Sequence, residues 1–251
     1  MEFWPFAVFL LIVFIGSYVQ AVAGFAMAMI IVAVAGGLEL MSVPTLAAVV
    51  SLLTVLNVSI ALAGSLQHVR VHLLKWLALG QVPAIFLGFQ LMQWLDGNTQ
   101  WVLELCLGLF ITAGGLSMYL RPHPWAQVSA PWQTFGVGVC GGLVGGMFSA
   151  SGPVLGWFGY NQPLPVAVIR ATLLAAFALT TVTRTVFVGI EGGLTSTVLT
   201  YAAVGLPVVA LGTWLGRVYA PPVSEPALRR FAYGVLLTMG VWILVRVLLL
   251  S

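Results

Sequence analysis

The stretch Gly141-Gly142-Leu143-Val144-Gly145-Gly146-Met147-Phe148-Ser149-Ala150-Ser151-Gly152-Pro153 decides how this chain folds. Its glycines stand in apolar surroundings, where bare backbone rather than side chains meets the neighbours. Ser151 and Gly152 suit a helix cap, and Pro153 suits the first position of a new helix. The stretch therefore reads as a helix that stops inside an apolar segment and restarts, leaving several backbone N–H groups without partners. A second reading is that the glycines only let helices approach closely, as small residues do in membranes. A weaker version, Gln20-Ala21-Val22-Ala23-Gly24-Phe25, lies near the start of the chain.

Working outward, the two halves resemble each other. Gly24 falls on Gly152 at an offset of 128. Val82-Pro83-x4-Gly88 matches Leu206-Pro207-x4-Gly212 at 124, and Gly108-x3-Thr112-x-Gly114 matches Gly234-x3-Thr238-x-Gly240 at 126. Three matches in order, at a nearly constant offset, argue for a duplicated unit. Apolar segments run over about 5–36, 44–66, 73–95, 99–120, 132–161, 165–188, 194–219 and 226–250. A polar, Pro-rich stretch around Arg121-Pro122-His123-Pro124 divides them four and four.

Composition places these segments in a bilayer. Of 251 residues 61% are apolar and only 6% charged, with a mean hydropathy of +1.10. A soluble domain carries about 25% charged residues, so a soluble fold is excluded. Disorder is excluded as well, since it needs low hydrophobicity. The net charge is +3, but nine basic residues spread along the chain form no patch for nucleic acid. Cys106 and Cys140 are too few for a disulfide framework and read as free thiols. Ala21-Val22-Ala23 resembles a signal-peptidase site, but the acidic Glu2 stands where a signal peptide carries Lys or Arg, so no cleavage is expected.

Charge then orients the halves. If every segment crossed once, the nine basic residues would divide five to four, without the usual cytoplasmic bias. If segments 1 and 5 are re-entrant hairpins, Arg70, Lys75, Arg121, Arg170, Arg217, Arg229 and Arg230 share one side, seven of the nine. The expected fold is thus an all-α polytopic membrane protein of two inverted four-segment repeats. Each is a re-entrant broken-helix hairpin plus three transmembrane helices. The first repeat covers 1–120, a linker 121–131 and the second repeat 132–251, with both termini extracytoplasmic.

The break opening each half, GSYVQAVAGFAMAM and GGLVGGMFSASGP, resembles the TauE/SafE sulfite exporter family, also called the toluene-sulfonate uptake permease family. The resemblance covers essentially the whole length. This chain departs from the family's more usual run of consecutive glycines by carrying Ser149-Ala150-Ser151-Gly152-Pro153. The resemblance implies a secondary transporter in the bacterial cytoplasmic (inner) membrane that exports small sulfur-containing anions such as sulfite, sulfoacetate or other organosulfonates. A carrier for carboxylates, or a non-transporting scaffold subunit, are the alternatives.

Inverted repeats with broken helices place a site near midplane, with half-helix N-termini facing an anion. The expected substrate-binding residues are Gln20, Gly24, Phe25, Asn57, Ser149, Ser151, Gly152 and Arg170. Arg170 and Arg184 lie in one segment about 21 Å apart at helical rise, so each either lines the path or reaches an interface by its long side chain. Asn57 either serves the site or bonds a neighbouring helix. His68 and His72 are spaced for a metal but sit in a solvated loop. All three histidines lie outside the spans, so no serine-protease base is available and no enzyme is expected. There is no phosphate-binding loop for ATP, and no cofactor is expected. The sequence leaves open whether copies of the chain associate as a homo-oligomer.

Overall fold

The computed structural model of the chain describes residues 3–23, 26–119, 124–219 and 225–250. Among these, all regular structure is helical: α1 (Phe3–Ala23), α2 (Met27–Gly37), α3 (Val43–Leu62), α4 (Val71–Asn98), α5 (Gln100–Tyr119), α6 (Pro131–Phe148), α7 (Gly152–Tyr160), α8 (Val166–Ile190), α9 (Ser196–Val218) and α10 (Glu225–Leu250). Six are long and apolar enough to cross a membrane: α1, α3, α4, α5, α8 and α9. Their outward faces carry Leu11, Leu87, Leu109, Val186 and Leu211, all exposed. In water so much exposed apolar surface would drive aggregation, whereas lipid tails solvate it. Trp94, Trp101 and Trp132 stand exposed near helix ends, where a membrane interface accommodates them.

Segments 1 and 5 are broken as expected, but their limbs are unequal. At ~1.5 Å per residue, α1 is about 31 Å long and α6 about 27 Å, whereas α2 and α7 return only about 16 and 14 Å. Gly16 does not interrupt α1, which runs through it to Ala23. Pro83 and Pro207 sit inside α4 and α9, which continue past them; membrane helices tolerate proline where neighbours re-satisfy the freed carbonyl.

Glycine sets the helix contacts. A Cβ at Gly138 would collide with the Leu77 carbonyl, one at Gly142 with Gln81, and one at Gly146 with Ile85. The numbers rise together, so α6 lies parallel to α4 with backbones nearly touching. Gly212 against Ser17 and Phe14, and Gly216 against Tyr18, set α9 parallel to α1 in the same way. By contrast, Gly108 meets Leu244, Gly115 meets Leu237, and Gly240 meets Thr112, so α5 and α10 run antiparallel. The middle of the bundle is formed by α3 and α8, which touch each other, with α3 also on α9 and α8 on α4.

Candidate functional site

Where the two breaks approach each other, a cavity of ≈ 20 Å³ opens in the middle of the bundle. The first break contributes Gln20, Ala26, Ala28 and Met29, and the second Ser149, Ser151 and Gly152. Thr54 of α3 and Phe177 and Thr181 of α8 complete the wall. The space suffices for about one water. A larger guest requires the wall to move.

Among the described residues, Ala26 (φ 100°) before α2 and Ser149 (φ 58°) after α6 are left-handed. The two helix starts are then finished differently. Gln20 Oε1 accepts the Met27 N–H at 2.9 Å, so a side chain from the end of α1 caps α2. The Gln20 amide also donates to Asn57 Oδ1, and Asn57 Nδ2 donates to Thr213 Oγ1 at 2.8 Å. At the other break, Ser151 precedes α7 without capping it; its hydroxyl lies 3.4 Å from Thr180 Oγ1. Thr180 in turn accepts from Gln81 Nε2 at 2.8 Å. The first bonds along the half-helices are Ile30 N–H to Ala26 O and Leu155 N–H to Ser151 O. The N–H groups of Ala28, Met29, Gly152 and Val154 therefore have no intrahelical partner. Two hydroxyls of the lining, Thr54 Oγ1 and Ser149 Oγ, are buried and have no hydrogen-bond partner among the described residues. Among the described residues the lining carries no charge and mixes the polar Gln20, Thr54, Ser149, Ser151 and Thr181 with the apolar Ala26, Ala28, Met29 and Phe177. It can hold a small anion.

Two larger hollows lie beyond it. One, of ≈ 400 Å³, is lined by Gln20, Ser65, His68, Arg170, Thr213 and Arg217, with no acidic residue on its wall. The other, of ≈ 280 Å³, holds Glu39, Gln100, Glu104 and Arg246. There Arg246 bridges Glu39 at 2.5 Å and Glu104 at 2.6 Å. Gln20 lines both the central cavity and the basic hollow. Gln20 is held there by Asn57, which in turn donates to Thr213 of the basic hollow.

Of the residues expected from sequence, Gln20, Ser149, Ser151 and Gly152 come together on one wall. Gly24 and Phe25 lie outside the described residues. Asn57 is fully buried beside the cavity, where it holds Gln20. Arg170 lines the basic hollow on the far side of Gln20. Arg184 reaches no interface: it is 0% exposed. Neither Thr54 nor Thr181 is among the residues expected from sequence to bind substrate. The signal was present, because Thr54 and Thr181 stand 127 residues apart, within the repeat offset. The half-helices start at Met27 and Gly152, 125 apart, so the Gly24–Gly152 match is three residues out of register.

Among the described residues no group of His, Cys, Asp and Glu is placed to hold a metal, and Cys106 and Cys140 are free. No solved structure matches the chain. It is 42% identical over 225 residues to a protein of Cupriavidus necator (strain H16) named probable sulfite/organosulfonate exporter TauE, covering 90% of this chain and 88% of that one. The profile of the family described as sulfite exporter TauE/SafE matches residues 8–243. With a bundle of membrane-length helices and a donor-lined centre already in place, the chain belongs to the TauE/SafE sulfite exporter family.

Proposed function

We propose that the chain is a secondary transporter that exports small sulfur oxyanions (sulfite, sulfoacetate or other organosulfonates) and binds them between the two breaks. The observation that carries this reading is the pair of buried, unpartnered hydroxyls, Thr54 Oγ1 and Ser149 Oγ, on the wall of one cavity. A buried polar group without a partner is costly, so two on one small cavity point to a ligand that accepts from them. Ala28, Met29 and Gly152, at the starts of α2 and α7, line the same cavity, and helix N-termini favour anions. A sulfonate spreads one charge over three oxygens, which suits several modest neutral donors. Ser149, Ser151, Gln20 and the backbone at Gly152 make the contacts, and Asn57 positions Gln20. Arg170 and Arg217 draw the anion into the basic hollow.

The same reading takes residues 1–120 and 132–251 as inverted repeats joined by 121–131. Antiparallel packing of the matched helices α5 and α10 supports an axis in the membrane plane. The reciprocal contacts, α4 on α6 and α1 on α9, support the duplication. Arg70, Lys75, Arg170 and Arg217 lie at one end of the bundle, which we assign to the cytoplasm. Both termini then lie outside the cytoplasmic membrane. No part of this assignment needs a cofactor or an enzymatic step.

Proteoliposomes containing this chain alone test the function. Saturable flux of sulfite or sulfoacetate, competed by other sulfonates, is the expected result. Absence of flux from correctly folded protein for every sulfur oxyanion overturns the reading in favour of a scaffold subunit. Competition by carboxylates but not sulfonates redirects it to another anion class.

A further inference from the structure

We propose that Arg184 is a second anion-binding residue, on the side of the central cavity opposite the basic hollow. It holds the sulfur oxyanion by its charge after the anion leaves the central donors. This rests on the transport reading above.

Arg184 is the largest fully buried side chain in the structure. Its Nε donates to the Gly146 carbonyl at 2.9 Å, and Nη2 reaches the Met92 sulfur at 3.5 Å. The guanidinium also lies 5.7 Å from the centre of the Phe89 ring. None of these partners is charged, and Nη1 has no partner among the described residues. Glu39 and Glu104 are committed to Arg246. A cation in the membrane interior is retained only where something offsets its desolvation; here a carbonyl, a thioether and a ring do so in part, and among the described residues no carboxylate pairs with it. A transported anion would.

Position supports the same assignment. Arg184 stands one turn beyond Thr181 on α8, so it shares a face with a cavity-wall residue. Its bonded carbonyl, Gly146, is three residues before Ser149, whose hydroxyl is also unpartnered. Asn57, 127 residues earlier, holds the equivalent place beside the first break. Asn57 borders the open ≈ 400 Å³ hollow through Gln20 and Thr213. Arg184 by contrast is 0% exposed, and beside it Phe86 of α4 packs on Phe187 of α8 with ring centres 5.3 Å apart. The cation is therefore buried where the opposite path would open.

The test compares wild type, Arg184→Met and Arg184→Lys as purified full-length proteins. Each is melted with and without sulfite and sulfoacetate, since a ligand that binds only the folded state raises the melting temperature. If Arg184 serves the anion, Arg184→Met without anion melts at or above the wild-type temperature, because an unpaired buried charge has been removed. Its affinity for both anions falls about tenfold or more, and Arg184→Lys lies between. A Met variant that keeps wild-type affinity overturns the assignment and leaves Arg184 as a latch between α8 and α6. If the Met variant does not fold, the Lys variant decides: weakening of about fivefold or more supports the proposal, and unchanged affinity overturns it. A wild type that responds to neither anion overturns the transport reading as well, a result distinguishable from loss in the variants alone.

Discussion

At the residue scale, the central cavity separates side chains that hold the protein from side chains that await a guest. Thr54 Oγ1 is buried without a partner, so Thr54→Val removes a desolvated hydroxyl and no hydrogen bond. The variant should melt at or slightly above the wild-type temperature while binding sulfite or sulfoacetate several-fold more weakly, the worth of ~1 kcal/mol for one bond. Equal affinity in a titration would show that the hydroxyl faces no ligand. Gln20 behaves in the opposite way, because both ends of its amide are in use. Gln20→Glu keeps the acceptor that caps Met27 and the side-chain length, but puts a negative charge on the cavity wall. Folded protein should form, and anion flux should fall by at least about tenfold through like-charge repulsion in a low dielectric. A Glu variant that transports normally would remove Gln20 from the path.

At the scale of elements, glycine does two jobs that its sequence pattern does not separate. Gly138, Gly142 and Gly146 press on the α4 backbone, whereas Gly152 has open space around its missing Cβ. Gly138→Val should therefore force α6 away from α4 and lower stability by about 1–3 kcal/mol. Gly136, with nothing within reach of an added Cβ, should accept alanine with a gain of about 0.5–1 kcal/mol. Melting of the two variants in detergent checks this, and equal stability would mean the α4–α6 seam is looser than drawn. The same ambiguity marks how far the fold was legible beforehand. The break at Ser149–Gly152 could be read because Ser, Gly and Pro together signal a helix restart. The α4–α6 seam could not, because contact partners about sixty residues apart leave no local pattern. Gly16, inside α1, is a close approach to Met27. Sequence alone leaves Arg184 either on the path or at an interface; in the structure its side chain turns inward onto Gly146.

At the scale of the whole molecule, charge and space are distributed unequally along the proposed transport axis. The wide hollow at the proposed cytoplasmic end carries Arg170, Arg217 and His68. The hollow at the other end carries two glutamates neutralised in part by Arg246. On the proposed orientation an anion would be drawn from the cytoplasm toward the centre by the basic hollow. Among the described residues no Asp or Glu touches the central cavity, and carboxylates are the usual intramembrane proton carriers. An interior-negative potential already favours the exit of one negative charge by about 2.3 kcal/mol per 100 mV, roughly a fiftyfold bias. Export of a permanently ionised sulfonate should therefore follow the membrane potential and need no proton. In proteoliposomes loaded with sulfoacetate, a potassium diffusion potential negative on the cytoplasmic face of the protein should accelerate efflux from that face. A pH gradient applied with the potential clamped at zero should leave the rate unchanged. Flux driven by the pH gradient under that clamp would mean that a proton-carrying group does the coupling, and the potential-driven mechanism would have to be abandoned.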